Sequence, residues 1–503
     1  MSESRPQLDR RTFIAGTAAG AGCLALAGCG LLPGRRSRLP NIVYIIADDM
    51  GYGDPACFNA SSKIPTPNLD RLAVEGMRFA DAHSGSAVCT PTRYGILTGR
   101  YAWRTRLQSG VLWGYSPPLI EPDRMTVASL LHAQGYHTAC AGKWHLGLGW
   151  HTTDGVKPGD GADEAGKNID YSRPVSDGPT THGFDYFYGI PASLDMVPYV
   201  YVENDRVEAP PTDRIEGRGG LAFYRGGPAA PGFDHEQTLP RLARKAVGFI
   251  DEHCAAGTGA PFFLYFPLSS PHTPVLPTAA WAGRSGAGPY GDFVAQTDGV
   301  LGEVLAAIDR HQLVQDTLVI VTSDNGSTMT PMHEYDHLPN DGLRGRKSDV
   351  WDGGHRIPFL ARWPGTVPAG TTCPETICLT DLLATCADLT GTRLPEDAGE
   401  DSWSILSALR GRIRGPVREA TVHHSIEGMF AIRQGRWKLI EGRGSGGWTG
   451  GGEDDEAPGQ LYDIETDLDE STNLYRERPD VVAELTALLD RYRSQGRSAP
   501  LSR

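Results

Sequence analysis

The chain has 503 residues, with 47 Lys and Arg against 61 Asp and Glu, and a formal net charge of −14. Apolar residues make up 40% and charged residues 21%, which excludes wholesale disorder. The length suggests two to four domains, or one large α/β domain with an appendage. The acidic balance argues against a general nucleic-acid-binding protein, which usually carries a basic face, so we expect no nucleic-acid partner.

The first forty residues have the pattern of an export signal and a tether. Arg10 and Arg11 precede a weakly apolar stretch of mostly Ala and Gly, which is typical of a bacterial twin-arginine (Tat) signal. The sequence LAGC at 26–29 resembles the lipobox of bacterial lipoproteins and implies cleavage before Cys29 and lipidation of its thiol. We predict a signal peptide at 1–28, a tether at 29–40 and a cell-envelope protein held to the membrane by a lipid anchor only. The alternative is an ordinary Tat signal with an unmodified cysteine.

Four apolar runs predict strands buried on both faces of a sheet, at 41–47, 136–141, 261–266 and 317–322. Helical patterns lie between them at 68–76, 125–134, 239–253 and 298–310. This alternation predicts a large α/β domain over 41–400 with a mostly parallel sheet. In such sheets, ligands bind beyond the carboxyl ends of the strands.

Polar residues follow each of these four strands. Asp48 and Asp49 end the first, and Asp324 and Asn325 follow the last. Their carboxylate and amide oxygens suit a hard divalent cation rather than zinc. We expect Ca²⁺, with Mg²⁺ as the alternative. The same residue pairs are also common in turns, which is the competing interpretation.

Cys89 precedes a helix that Pro91 can begin, because the first turn of a helix does not need the proline N–H. A residue at this position faces unpaired backbone N–H groups, which attract anions. The residues alone therefore indicate a nucleophile beside an anion site, with an inert structural cysteine as the alternative.

The segment that begins at Cys89 resembles the signature of the type I sulfatases, which depend on formylglycine. The signature Cys-x-Pro-x-Arg continues into Gly-x-x-Thr-Gly-Arg over 89–100. Further matching motifs occur in order over about 40–475: the Asp48-Asp49 strand end, GKWHLG at 142–147, PHTP at 271–274, SDNG at 323–326, LRGRK at 343–347, WDGG at 351–354 and LYD at 461–463. The resemblance implies an alkaline-phosphatase-like fold, with the sheet sandwiched by helices.

The resemblance also implies a reaction. A separate formylglycine-generating enzyme oxidises Cys89 to Cα-formylglycine before folding, and one hydroxyl of the hydrated aldehyde attacks the sulfur of a sulfate ester. The alcohol leaves, and the second hydroxyl then expels sulfate and restores the aldehyde. The implied substrate is a small sulfate ester or a sulfated saccharide.

Roles for the matched residues come from the same resemblance. The cation, bound by Asp48, Asp49, Asp324 and Asn325, would also contact the diol of residue 89 and a sulfate oxygen. The remaining residues carry charge or protons: Arg93 and Lys143 stabilise the ionised diol, His145 takes the proton of its second hydroxyl, His272 protonates the leaving alcohol and Lys347 holds a sulfate oxygen.

The surroundings of Lys347 depart from the family pattern, which usually has a small residue at Arg346 and small or hydroxyl residues at 348–350. Loops beyond strand ends usually carry specificity. We therefore name four candidate rim residues: Trp150, His151, Tyr188 and Asp195.

Short alternating strands at 421–424, 430–433, 437–440 and 461–463, followed by a helix at about 480–494, predict a small antiparallel α+β domain over 401–503.

Two alternatives to a sulfatase remain. One is a formylglycine-dependent phosphodiester or phosphonate monoester hydrolase of the same fold. The other is a lipid-tethered anion-binding protein with an unmodified Cys89. A two-zinc phosphatase is disfavoured, because it would have Asp-His at 324–325.

Overall fold

The computed structural model describes residues 39–159, 166–452 and 456–501. The signal peptide, the twin arginines, Cys29 and nearly all of the tether lie outside these ranges, so their assignment stays a prediction. Residues from Leu39 onward form one compact unit. No helix in the described part of the chain is long and apolar enough to cross a membrane.

A ten-stranded mixed sheet forms the centre of the molecule. Its strands, in spatial order, are β13 (Thr371–Cys373), β2 (Met77–Phe79), β12 (Phe359–Arg362), β11 (Thr317–Ser323), β1 (Asn41–Asp48), β10 (Phe262–Pro271), β4 (His137–Lys143), β5 (Tyr186–Ile190), β6 (Val202–Glu203) and β7 (Arg206–Val207). The run from β11 to β5 is parallel throughout, and antiparallel pairs flank it on both sides. The four strands predicted from apolar runs are adjacent in this run, which confirms the predicted α/β class.

Two pairs of very short strands lie outside the large sheet: β3 (Ala82–His83) with β14 (Ile377–Cys378), and β8 (Asp213–Ile215) with β9 (Gly227–Ala229).

Helices cover both faces of the large sheet. Successive side chains of its central strand, β1, point to opposite faces, and each set packs against a different group of helices. Ile42, Tyr44 and Ile46 pack into a core that includes residues of α2 (Cys89–Thr98), α3 (Val127–Ala133) and α7 (Leu382–Thr390). Val43 and Ile45 pack into a second core with α1 (Pro67–Glu75), α4 (His235–Ala256) and α5 (Gly288–Arg310). Two one-turn helices, α6 (Asp352–His355) and α8 (Leu406–Leu409), complete the region.

A four-stranded antiparallel sheet follows, as predicted, from β15 (Thr421–His424), β16 (Phe430–Gln434), β17 (Trp437–Ile440) and β18 (Gln460–Asp463). The last helix, α9 (Pro479–Gln495), packs on this sheet through Leu485 and Leu489. The predicted α+β character of the C-terminal region is confirmed. The domain boundary at 400–401 stays a prediction.

Candidate active site

The carboxyl ends of β11, β1, β10 and β4 lie side by side, because these strands are consecutive and parallel. The chemistry-bearing residues predicted at the four strand ends therefore meet at one edge of the sheet. Asp49 and His145 both have positive φ, of 69° and 56°. A positive φ is uncommon for any residue other than glycine, so the backbone turns sharply where these two side chains enter the site.

Asp48, Asp49, Asp324 and Asn325 form a completely buried oxygen cluster. Three of their oxygens have no hydrogen-bond partner among the described residues: Oδ1 of Asp48, Oδ2 of Asp49 and Oδ1 of Asn325. Burial and the neighbouring Asp48 carboxylate raise the pKa of Asp324 to about 7. Buried polar atoms without partners and crowded carboxylates both fit a cation bound by hard oxygen ligands.

Cys89 is the first residue of α2 and is only 3% exposed. Ligand atoms of Cys89, Asp48 and Asp324 all lie within 4.8 Å of one another. Burial raises the pKa of the Cys89 thiol, although Lys143 and Lys347 act in the opposite direction. An unmodified cysteine here is therefore a neutral thiol at neutral pH, which is a poor nucleophile.

Positive charges surround this cluster on three sides. Arg93, one turn along α2 from Cys89, places its guanidinium nitrogens 2.8 and 3.1 Å from Oδ2 of Asp324. Lys143 Nζ lies 2.7 Å from Oδ2 of Asp48, and Lys347 Nζ lies 2.6 Å from Oδ1 of Asp49. All three side chains are buried, so their charges act in a weakly screened environment suited to a tetrahedral anion.

His145 is held in one tautomer. Its Nε2 lies 2.7 Å from the Leu112 carbonyl oxygen, which can only accept, so Nε2 carries the proton. Nδ1 then carries a lone pair and has no hydrogen-bond partner among the described residues. Burial, with the charges of Lys143 and Arg93, lowers the pKa of His145 well below its usual value. The imidazole is therefore neutral, and Nδ1 is the atom at which it can accept a proton.

His272 lies opposite, at the end of β10, and is 8% exposed. Its Nδ1 is bonded to the Thr273 carbonyl oxygen, and its Nε2 lies 3.7 Å from Oδ2 of Asp49. The carbonyl can only accept, so Nδ1 carries a proton. Nε2, the nitrogen that faces the cluster, therefore holds a proton for a leaving group when the ring is an imidazolium, which the carboxylates of Asp49 and Asp195 beside it favour.

Ser193 also belongs to this site, although the sequence analysis did not name it. Its hydroxyl lies 3.2 Å from Lys143 Nζ and 3.4 Å from His272. Ser193 follows β5, the next parallel strand beyond β4, so the same strand-end argument would have found it. The sequence does not predict it, because Tyr186–Ile190 is not among the four runs predicted as strands of the large sheet.

The segment around Lys347 reaches the site despite its unusual sequence. Lys347 N donates to the Ser327 carbonyl, and Ser348 N donates to the Ala87 carbonyl two residues before Cys89. Arg346 points elsewhere, because its Nη1 donates to the Thr328 carbonyl. The family departure at Arg346 therefore does not displace the lysine.

Two of the four candidate rim residues are wrong. Trp150 is buried, donates through Nε1 to the Gly114 carbonyl and packs beside Tyr115 and Tyr171. Tyr188 is also buried, because it lies in β5 and its ring packs on Tyr201. Both rings are packed on other aromatic rings, so neither is placed at an entrance.

Asp195 does lie beside the site, where the charge of His272 lowers its pKa against the effect of burial. His151 is half-buried on its loop, and its role stays a prediction.

A second buried cluster, His83, His355 and His423, also brings ligand atoms within 4.8 Å of one another. Its nitrogens already have partners: Nδ1 of His83 lies 3.0 Å from Nδ1 of His355, and Lys438 Nζ lies 3.1 Å from Nε2 of His355. The rings of His355 and His423 are stacked, with centroids 3.9 Å apart. Neighbouring cations and occupied nitrogens make this a packed polar core rather than a metal site.

Comparison with known proteins gives a consistent result. The family model described as Sulfatase matches residues 40–392. N-acetylgalactosamine-6-O-sulfatase of Bacteroides thetaiotaomicron is 34% identical, over 91% of this chain and 94% of its own length. Human arylsulfatase A is 34% identical over 80% of this chain and 75% of its own length.

The solved structures agree with the sequence relatives. A Bacteroides thetaiotaomicron sulfatase, solved in work on glycosaminoglycan metabolism, superposes with a TM-score of 0.79 at 33% identity, covering 91% of this chain and 100% of its own. The phosphonate monoester hydrolase of Agrobacterium radiobacter has a TM-score of 0.57 at 19% identity, covering 91% and 96%, and shares the fold only.

Proposed function

The chain belongs to the sulfatase family and hydrolyses sulfate esters, and we propose on that premise that it uses Cα-formylglycine made from Cys89 together with a divalent cation. One observation supports this proposal above all. Cys89 is buried beside Asp48 and Asp324, in a cluster whose oxygens include three without a hydrogen-bond partner among the described residues. A sulfate ester brings negative charge to this point, and the surrounding cations would stabilise it.

The state of Cys89 favours a modified nucleophile. A thiol whose pKa is raised by burial gives little thiolate, whereas hydrated formylglycine supplies a hydroxyl that attacks sulfur. Cys89 is 3% exposed in the folded chain, so the formylglycine-generating enzyme must act before folding.

The donor set favours calcium, with magnesium as the alternative. Asp48, Asp49, Asp324 and Asn325 offer three carboxylates and one amide oxygen, and Ca²⁺ takes many oxygen ligands, whereas Mg²⁺ usually keeps several waters. When bound, the cation supplies Lewis-acid stabilisation of charge on the sulfate oxygens.

The other residues bind the ester and move protons. Arg93, Lys143 and Lys347 hold the anionic sulfate, with Lys347 acting as a point charge. His272 donates a proton from Nε2 to the leaving alcohol, and His145 accepts a proton at Nδ1 when sulfate departs. Ser193 positions Lys143 and His272 relative to each other through its hydroxyl.

We propose a sulfated saccharide as the natural substrate, with 6-O-sulfated N-acetylgalactosamine as the first candidate. The support is the 34% identity to a protein of that name over nearly the whole chain. A panel of sulfated monosaccharides, assayed for released sulfate, tests this candidate. Faster turnover of a 2-O-, 3-O- or 4-O-sulfated sugar would replace it.

The rival phosphodiester or phosphonate ester hydrolase is separated by one assay. The purified protein should release 4-nitrophenol faster from 4-nitrophenyl sulfate than from 4-nitrophenyl phenylphosphonate or a 4-nitrophenyl phosphodiester. Chelation should abolish turnover, and added Ca²⁺ should restore it. Equal or faster turnover of the phosphorus esters would contradict the proposal, and so would full activity after complete removal of divalent cations.

We also propose Tat export and a lipid anchor at Cys29. Replacing Cys29 with alanine should move the protein from the membrane fraction to the soluble envelope fraction. A wild-type protein found mainly in the soluble fraction would contradict the anchor.

A further inference from the structure

We infer that Asp195 and Arg225 together bind a hydroxyl of the leaving sugar and thereby select a saccharide ester. This inference rests on the proposed function, because it assigns the residues that recognise the alcohol half of the substrate. The two residues form an ion pair at the side of the site where His272 lies.

Asp195 is almost fully buried, at 5% exposure, yet its Oδ1 has no hydrogen-bond partner among the described residues. Its Oδ2 is paired with Arg225. Burial alone would raise the pKa of Asp195, but the charges of His272 and Arg225 hold it below its usual value. Asp195 is therefore an anion, and its Oδ1 can accept a hydrogen bond. It lies beside His272, the proposed proton donor to the leaving alcohol. A buried acceptor without a partner is costly unless a ligand supplies the donor.

Arg225 connects this acceptor to the entrance. Its guanidinium lies over the Trp113 ring, 4.6 Å from the centroid, and 5.1 Å from the centroid of Phe223. The Arg225 side chain is 30% exposed and Phe223 is 37% exposed, so this wall meets solvent. Trp113 follows Leu112, whose carbonyl holds His145. One end of this wall, Trp113, is therefore next in sequence to the residue that holds His145, and the other end, Asp195, lies beside His272.

A hydroxyl group satisfies both members of the pair. Its O–H donates to Oδ1 of Asp195, and its oxygen accepts from the Arg225 guanidinium. A simple phenol has no second oxygen to offer after it loses the sulfate. In a 6-sulfated pyranose, the hydroxyl nearest the ester carbon along the ring is the one on C4. We therefore assign the pair to that hydroxyl, whose orientation distinguishes galactosamine from glucosamine.

The test compares two esters on the same enzyme sample. Asp195→Asn should lower kcat/KM for N-acetylgalactosamine 6-sulfate, relative to 4-nitrophenyl sulfate, by roughly 30-fold or more, as expected for a lost hydrogen bond to a charged group. Arg225→Lys should lower the same ratio. Because both esters meet the same sample, any unfolded fraction cancels. The matched controls are Asp213→Asn and Arg218→Lys, which are exposed in β8 and in the loop that follows it. Both should leave the ratio unchanged.

The substrate side gives a second test that needs no variant. The wild-type enzyme should prefer N-acetylgalactosamine 6-sulfate over its 4-deoxy analogue, and Asp195→Asn should remove most of that preference. An unchanged preference, or an equal loss on both esters, would overturn the inference and make Asp195 a positioning residue for His272. Failure of wild-type enzyme on every sulfate ester would instead overturn the proposed function.

Discussion

The neutral histidine at 145 separates the two halves of the proposed reaction. Nε2 of His145 is committed to the Leu112 carbonyl, so only Nδ1 can take a proton. His272 faces the same cluster from β10 with its Nε2. The two imidazoles therefore have different protons to move at different times, because one is held as a base and the other is placed to act as an acid.

A pair of variants tests this division at the residue scale. His145→Gln should slow kcat by about 10²- to 10⁴-fold. It should still release about one alcohol per enzyme in a rapid burst, because only the return of the nucleophile is blocked. Stopped-flow absorbance with 4-nitrophenyl sulfate measures the burst.

The matched variant is His272→Gln, which removes the proposed acid. It should slow turnover without a burst, and more strongly for a sugar ester than for 4-nitrophenyl sulfate, because a phenolate leaves with less help. A burst in neither variant, or in both, would remove these assignments. A burst in His272→Gln alone would reverse them.

At the scale of elements, α6 joins the large sheet to the C-terminal sheet. Asp352, in α6, lies 2.7 Å from Nζ of Lys438 in β17, and the same nitrogen lies 2.7 Å from Glu470. All three side chains are completely buried. Gly354 in turn accepts a hydrogen bond from Gly326 N, just after β11, so the WDGG motif at 351–354 links the two sheets.

Removing one partner of this buried group should be costly. Lys438→Met leaves Glu470 without its cation and leaves Asp352 with Arg356 alone, and it should lower the free energy of unfolding by about 3–5 kcal/mol. Urea denaturation measures the loss. The control is Arg476→Met, which breaks the exposed pair with Glu456. A Lys438→Met protein as stable as this control would show that the buried pair does not join the sheets.

The sequence predicts the long elements well and the short ones poorly. The runs at 41–47 and 317–322 are apolar without interruption, so burial on both faces is evident, and the observed strands agree within a residue. Strands such as Met77–Phe79 have only three residues and no detectable period. They form because neighbouring strands supply hydrogen-bond partners, which no local pattern reveals.

The site follows the same rule. The sequence finds the residues at the ends of predicted strands. Ser193 follows β5, which is not predicted, and Arg225 pairs with a residue 30 positions away, which no local pattern reveals. No uninterrupted aliphatic run marks Tyr186–Ile190, so the sequence does not predict this strand and places Tyr188 on the rim instead of in the sheet.

At the scale of the whole molecule, buried histidines link stability to pH. Burial lowers the pKa of His83 to about 4, and burial with neighbouring charges lowers those of His355 and His423 well below 6.5. Between these values and 6.5, the unfolded chain binds protons that the folded chain does not. Stability is therefore complete above about pH 6.5 and falls as the pH drops towards 4.

His423→Gln should flatten this dependence. Each such histidine contributes a slope of about 1.4 kcal/mol per pH unit in this window. Urea unfolding at pH 7, 6 and 5 should show a shallower loss for His423→Gln than for wild type, and no change for the exposed control His333→Asn. Parallel losses for all three proteins would exclude the cluster as the cause.

The central claim is that residue 89 acts as formylglycine in a sulfatase, and the mass of one peptide tests it most directly. Active protein from the native host, digested with trypsin, yields a peptide spanning 79–93 that contains residue 89. We expect this peptide to be lighter than the encoded sequence by about 18 Da, the exchange of SH₂ for O. The light fraction should rise in proportion to specific activity. Fully active protein whose peptide carries only the unmodified thiol would contradict the account.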